Sequence, residues 1–252
     1  MTTETFPVQV QDPGCIEDKL VFLPATCASI YAMTQQIPWI ESIEPEDRIL
    51  TGRSYQYAKR ALDLLITLSA LPLLAFIMIL VAILIKLEDP KGPVFFIQLR
   101  TGKDGRRFKM FKFRTMVYNA EELKKELAPL NELQWPDFKI TNDPRITRVG
   151  RFLRKTSLDE LPQIINILRG EMSLVGPRPT SFSANTSVLG QTERLDVIPG
   201  LTGLWQILGR GSMEFCERSC LDILYIERRC LKLDILILIF TFTAVLKQRG
   251  AH

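Results

Sequence analysis

The chain has 252 residues, 46% of them hydrophobic and 24% charged, with 32 basic against 28 acidic side chains and a net charge of +4. That is the composition of an ordinary globular protein with room for one good-sized domain and appendages, and its small positive surplus does not announce a nucleic-acid binder. The one histidine, His252, is the last residue, which excludes chemistry that needs an imidazole in a structured site, such as a Ser-His-Asp hydrolase or a His-ligated zinc centre.

In chain order, residues 1–50 carry eight acids against Lys19 and Arg48, and prolines at 7, 13, 24, 38 and 45 interrupt any long helix. The start lacks the charged and apolar regions of a secretory signal. Residues 1–55 are therefore expected to form an acidic, weakly structured extension. The cysteines, Cys15, Cys27, Cys216, Cys220 and Cys230, are odd in number, form no CxxC pair and have no histidine to complete a metal site. This predicts free thiols in a reducing compartment.

Leu64–Ile85 is a run of 22 residues without a charge. As a straight helix it would cover about 33 Å, enough to cross a bilayer core. Pro72 lies inside the run, where it removes a helical hydrogen bond and forces a kink, and the Ser69 hydroxyl is placed to satisfy a freed carbonyl. Lys59 and Arg60 precede the run, and Lys86 and Lys91 follow it. Positive charge at both ends suits a hairpin that re-enters one membrane face; a spanning, kinked helix is the open alternative. Residues 56–90 are read as this membrane-inserted helix, with Lys59, Arg60, Ser69 and Pro72 as its anchoring residues.

Residues 98–155 reverse the charge of the N-terminus, with fifteen bases against seven acids. Directly after a membrane segment, such a block suggests anionic headgroups or a phosphorylated substrate. Val94–Gln98 and Phe108–Phe113 read as strands around the Gly102/Gly105 turn, and Met172–Val175 as a short strand. Glu121–Leu127, Leu161–Leu168, Asp222–Arg229 and Leu233–Lys247 read as helices. In the last, Leu233, Leu236, Ile237, Phe240, Ala244 and Val245 recur at helical spacing, which suits the membrane interface or the core.

Chemistry concentrates in Ser157-Leu158-Asp159-Glu160-Leu161-Pro162 and Gly176-Pro177-Arg178-Pro179. The first has the spacing of a capping box, or of an Asp159 N-cap. It follows Arg148, Arg151, Arg154 and Lys155. In the second, prolines restrain the backbone on both sides of Arg178, which pre-organises its guanidinium to grip phosphate. Adjacent carboxylates among arginines fit phosphoryl transfer, with a carboxylate as nucleophile and Mg²⁺ neutralising charge.

The motifs from Tyr57 to Gly250 resemble the bacterial sugar transferases, the monotopic polyprenyl-phosphate phosphoglycosyl transferases. Those that match are Lys59-Arg60 with Asp63, IKL (85–87), GPVFF (92–96), Gln98 with Arg100, KFRTM (112–116), DPRIT (143–147), LRKTSLDELPQ (153–163), MSLVGPRP (172–179), PGLTGLWQ (199–206), Gly209-Arg210, and Asp222 with Tyr225. Pro72 follows Leu71 where members of the family often have Ser-Pro, and Glu171 stands where Asp is usual.

The resemblance implies an α+β, mainly helical fold: a re-entrant helix-hairpin in the bacterial inner membrane and, over 91–252, a small cytoplasmic catalytic domain with short strands and interfacial amphipathic helices. It implies that Asp159 attacks the β-phosphate of a UDP-sugar, releasing UMP. Polyprenyl phosphate then accepts the phosphosugar, beginning an exopolysaccharide or glycan that downstream glycosyltransferases extend. Glu160 would assist, Asp159 would bind Mg²⁺, and Arg154, Arg178, Arg148 and Arg114 would hold substrate phosphates. Membrane lipid is an expected partner and nucleic acid is not. The reading from another class is a membrane-tethered adaptor that binds anionic lipid or nucleic acid without catalysis. Trp205, Gln206 and the 180–198 loop are candidates for shaping the choice of sugar.

Overall fold

The computed structural model describes residues 30, 34, 37–41, 50–132, 140–181, 193–209, 213 and 215–246. Cys15, Cys27, Arg210, His252, residues 182–192 and most of the acidic extension lie outside them. The described chain is mostly helical. Helix α1 runs Gly52–Glu88, followed by a hairpin of β1 (Phe95–Thr101) and β2 (Arg107–Phe113). Next come α2 (Ala120–Glu126) and α3 (Arg148–Thr156), a 3-10 segment at Leu158–Gln163, and α4 (Ile164–Arg169). Strands β3 (Ser173–Val175) and β4 (Gly200–Thr202) precede α5 (Leu204–Leu208), α6 (Phe215–Arg228) and α7 (Leu231–Leu246).

The uncharged run sits inside α1, which is long and apolar enough to cross a membrane. Leu68, Pro72, Leu73 and Phe76 in its middle are exposed, whereas both ends rest on the rest of the protein. At the N-terminal end Asp63 accepts from the Leu174 backbone N–H at 3.1 Å. At the other end Val81 and Ile85 pack with Phe113 and Leu153. Ser69 does not serve the carbonyl freed by Pro72, that of Leu68. Its hydroxyl donates to the Leu65 and Ile66 carbonyls at 2.7 and 3.0 Å, the ordinary back-bonding of a helical serine.

Lys59 and Arg60, read as membrane anchors, instead tie α1 to its own protein. The Lys59 ammonium meets the buried Asp234 carboxylate at 3.1 Å. Arg60 donates to the Ile167 and Leu168 carbonyls at 2.5 and 2.9 Å, so it caps the C-terminal end of α4, where cations are favoured.

The two strand pairs differ in kind. β1 and β2 pair antiparallel, Gln98 opposite Met110 and Arg100 opposite Phe108, while β3 pairs parallel with β4, a strand the sequence reading did not include. Gly176 and Gly200 cross so closely that a Cβ on Gly200 would lie 2.0 Å from the Gly176 nitrogen. Only two glycines fit this contact, which brings the Gly176–Pro179 turn against the core.

Three apolar clusters hold the fold. Val175, Leu204, Leu221, Leu224, Tyr225, Leu233 and Ile237 form the largest, and Ile30 and Ile40 from the N-terminal stretch join it. Phe113 and Leu153 join α1 in the second, and Phe108, Met110, Ile167 and Met172 make the third. In α7, Leu233 and Ile237 are core and Leu236 and Phe240 are partly covered, so the periodic stripe packs inward. The apolar residues left exposed are Ile235, Ile239 and Phe242. Cys216 and Cys230 are free, but Cys220 is disulfide-bonded, contrary to the expectation of free thiols throughout.

Candidate active site

The dyad Asp159-Glu160 lies in the 3-10 segment between α3 and α4. Helix α3 begins with a double cap: the Thr147 hydroxyl accepts from the Gly150 N–H at 2.9 Å. The Glu88 carboxylate, arriving from the end of α1, accepts from the Arg148 and Val149 N–H groups at 2.8 and 2.9 Å. An anion there also meets the positive end of the helix. Gly150 packs on the Thr115 carbonyl, 2.0 Å from where a Cβ would stand, which seats α3 against the end of β2.

Helix α3 ends at Ser157, whose φ of 58° is left-handed. Its N–H donates back to the Arg154 and Leu153 carbonyls, and its side chain makes no cap to the following turn. The expected capping box and the Asp159 N-cap are both absent. A left-handed serine costs backbone energy, and here it turns the chain sharply so that the 3-10 segment carrying Asp159 and Glu160 packs against β2.

The two carboxylates have different surroundings. Glu160 Oε1 receives Lys112 Nζ at 2.9 Å and Arg178 at 2.8 Å. Burial alone would push this carboxyl up, but the charges and hydrogen bonds of Arg178 and Lys112 hold it well below the usual range. Among the described residues Asp159 has no hydrogen bond or ion pair. Burial and the neighbouring Glu160 push its carboxyl up, against Lys112, Arg154 and Arg178. One member of the dyad is thus neutralised by the protein, and the other is left basic and open.

Of the expected phosphate ligands, Arg178 and Arg154 come together at the dyad. Arg178 also lies over the Trp205 ring, 5.9 Å from its centre, and its carbonyl accepts from Arg194 at 2.9 Å. Arg194 in turn meets the buried Asp222 carboxylate at 2.7 Å. Arg154 donates to the Thr115 hydroxyl at 2.9 Å, and Asp159 is the first of the acids that act on it.

Arg114 and Arg148 are placed elsewhere. Arg114 pairs with Asp89 at 2.8 Å and donates to its carbonyl at 2.6 Å, and it fills the space above Gly92, where a Cβ would stand 1.8 Å from the guanidinium. That contact locks the loop after α1. The Arg148 side chain is exposed, and its part in the fold is the backbone N–H held by Glu88. The DPRIT motif is also structural, with Arg145 forked onto Asp143 at 2.6–3.2 Å.

Lys112 is the site residue that sequence reasoning passed over. It shares the parity of Phe108 and Met110, the buried face of β2. A lysine at that parity in an alternating strand points inward and requires an acidic partner there. Glu171 reaches Asn166 Nδ2 at 2.6 Å, while that amide also bonds the Lys109 carbonyl and its oxygen the Phe111 N–H; the longer carboxylate completes the junction of α4 with β2. Trp205 and Gln206 are buried. Trp205 lies between Arg178 and Arg218, 5.5 Å from the latter.

No group of three or more acidic, cysteine or histidine side chains with metal-binding geometry occurs among the described residues. The donor set fits a hard divalent ion of another kind: one carboxylate free of protein partners, beside cations that suit phosphate. Mg²⁺ retains several waters and takes substrate oxygens, so a single carboxylate suffices from the protein.

A family model described as "Bacterial sugar transferase" matches residues 54–248. The UDP-galactose-lipid carrier transferase of Erwinia amylovora is 42% identical over 208 residues, 81% of this chain and 43% of that protein. The exopolysaccharide production protein ExoY of Rhizobium meliloti is 40% identical over 204 residues, 77% of this chain and 88% of that protein. The undecaprenyl-phosphate glucose phosphotransferase of Komagataeibacter xylinus is 41% identical over 207 residues, 77% of this chain and 36% of that protein. The chain therefore spans less than half the length of the Erwinia and Komagataeibacter relatives and most of ExoY. With the match running from α1 through α7 and the Arg-flanked dyad at its centre, the chain belongs to the bacterial sugar transferase family.

Proposed function

We propose that this chain transfers a sugar 1-phosphate from a UDP-sugar to undecaprenyl (polyprenyl) phosphate, releasing UMP, as a first membrane step of exopolysaccharide or glycan synthesis. The relatives' names support the substrate classes. The observation that carries the chemistry is the contrast within the dyad: Asp159 is unpartnered and pushed up, while Glu160 is held by Lys112 and Arg178.

In the first step an Asp159 carboxylate oxygen attacks the β-phosphorus, the bond from that phosphorus to the bridging oxygen breaks, and UMP leaves with the electron pair. A phosphosugar is left on Asp159 as a mixed anhydride. In the second step an oxygen of polyprenyl phosphate attacks the same phosphorus, and Asp159 departs as a carboxylate. Arg154 and Arg178 hold the phosphate oxygens, where preorganised cations offset charge that grows in the transition state. Glu160 assists by keeping Lys112 and Arg178 in place beside the nucleophile. Asp159 would be the residue to hold Mg²⁺, and the ion when bound would neutralise charge on the diphosphate.

The membrane reading is a re-entrant α1 in the bacterial inner membrane, with the catalytic body on the cytoplasmic face. A straight 37-residue helix would be about 56 Å long, whereas a compact body of about 200 residues is roughly 40 Å across. Both ends of α1 contact that body, which favours a bend at Pro72 within the exposed apolar middle. The product would then be ready for downstream glycosyltransferases.

The test is UMP release from a panel of UDP-sugars by protein in lipid nanodiscs, together with acid-quench mass spectrometry. Wild type is expected to carry a phosphosugar on Asp159. Turnover by Asp159→Asn equal to wild type would overturn the assignment of the nucleophile.

A further inference from the structure

Several buried or half-buried cations among the described residues face an acid: Lys59 faces Asp234, Arg114 faces Asp89, Arg145 faces Asp143, and Arg194 faces Asp222. Arg100 does not. It projects from β1 on the face that carries Gln98 and, across the register, Phe108 and Met110, the face that Lys112 also shares. All its bonds go to neutral acceptors. Its Nε and one terminal nitrogen donate to Gln98 Oε1 at 3.1 and 2.6 Å. Its other terminal nitrogen donates to the Ser181 hydroxyl at 3.0 Å and the Pro179 carbonyl at 3.4 Å.

The bridge between Thr101 and Thr180 holds this guanidinium beside the Gly176–Pro179 turn, hence beside Arg178. Burial, with the like charge of Arg178 ahead of that of Arg107, pulls Arg100 down to about 10, and Glu160 opposes this. Holding two guanidiniums together in half-buried surroundings, with Glu160 already bonded to Lys112 and Arg178 and no carboxylate bonded to Arg100, is costly. An incoming oxyanion removes that cost. The fixed, neutral hydrogen bonds orient the fork without consuming its charge, which leaves it able to grip an oxyanion.

We propose that Arg100 is a substrate-binding residue that grips a phosphate other than the one attacked at Asp159. This rests on the phosphosugar transfer reading. Along the site the order is Arg154, Asp159, Glu160, Arg178, Arg100, so the second phosphate lies on the Arg178 side of the dyad. Two sources share this chemistry: the phosphate that leaves within UMP, and the monoester of polyprenyl phosphate.

Arg100→Gln and Arg100→Lys distinguish them, and both are checked against wild type by thermal unfolding in nanodiscs. Two readings are taken: equilibrium binding of radiolabelled UMP, and KM for polyprenyl phosphate at saturating UDP-sugar. A loss of about 10- to 100-fold in UMP affinity in Arg100→Gln, with Arg100→Lys between it and wild type, supports the proposal and assigns the donor side. The same loss confined to the acceptor KM supports it and assigns the acceptor. Wild-type values in both readings, for either variant that folds, overturn it. UMP binding does not require turnover, so a protein that binds UMP through Arg100 yet forms no adduct would contradict the transfer reading alone.

Discussion

The turn that carries Asp159 and the start of α7 that carries Asp234 each set an aspartate near cations and polar groups, and the two aspartates end in opposite states. Asp234 has both oxygens committed: Tyr225 donates to one at 2.6 Å, while Tyr55 at 2.8 Å and Lys59 at 3.1 Å take the other. With 1% exposure it serves as a closed joint between α1, α6 and α7. Asp159 sits among Lys112, Arg154 and Arg178, yet the cations spend their hydrogen bonds on Glu160 and Thr115. What separates the paired acid from the unpaired one here is the geometry of the donors, not the presence of positive charge nearby.

Breaking the comparison at the open end has the largest effect. Asp159→Asn is expected to lower the rate of UMP release by about 10⁴-fold or more while leaving the thermal midpoint within about 2 °C, since no protein contact is lost. At the closed end the outcomes exchange. Asp234→Ala leaves the Lys59 charge and the Tyr55 hydroxyl buried without their acceptor and Tyr225 with only the Val175 carbonyl at 3.4 Å, and is expected to cost about 3–5 kcal/mol of stability, read as a lower unfolding midpoint in nanodiscs. If Asp234→Ala reduced activity in a fully folded protein, the joint would have a catalytic share and the contrast would fail.

Asp222 falls between the two extremes and supplies a pH dependence. Burial pushes its carboxyl up to about 6, against the opposing charges of Arg194, Arg178 and Arg218. The folded chain then holds this proton more tightly than the unfolded chain does. Its contribution to stability therefore grows as pH falls through about 6 toward the ordinary aspartate value, by at most about 3 kcal/mol. In Asp222→Asn this gain is absent. The difference in unfolding midpoint between wild type and variant, followed from pH 7 to pH 4, should shift in favour of wild type. A constant difference would show that Arg194 keeps Asp222 charged throughout. The smallest effect is Tyr55→Phe, which removes one of three donors to Asp234 and is expected to cost about 1–2 kcal/mol, with UMP release unchanged.

Much of the fold was legible from local pattern. The uncharged stretch, the alternation in β2, the glycine after α4 and the helical period of α7 all reappear, because burial and backbone geometry impose periods of 2 and 3.6 on neighbouring residues. The misses share one cause. β4 is three residues long and exists because β3 lies beside it. Ser157 looks like a cap in sequence and becomes a left-handed terminus because β2 receives the turn that follows. Lys59 and Arg60 look like membrane flanks in a linear reading, and their partners lie 175 and 107 residues away.

The family motifs themselves divide along the same line. Asp159 and Arg178 announce chemistry in one dimension, because two acids in succession and an arginine between prolines are unusual strings. Arg114, Arg145 and Arg148 belong to the same basic block, but the fold assigns them to Asp89, to Asp143 and to the surface.

From the sequence by itself, this protein is an apolar membrane-seeking helix followed by a basic body with one terminal histidine, whose candidate reactive groups are carboxylates and arginines. Only the tertiary structure decided which carboxylate is closed and which is open, and which arginines stand beside the dyad. Hydrophobic burial depends on periods within one segment. The state of a charge depends on donors brought within about 3 Å from segments far apart in the chain, where low dielectric makes each pairing, or its absence, matter.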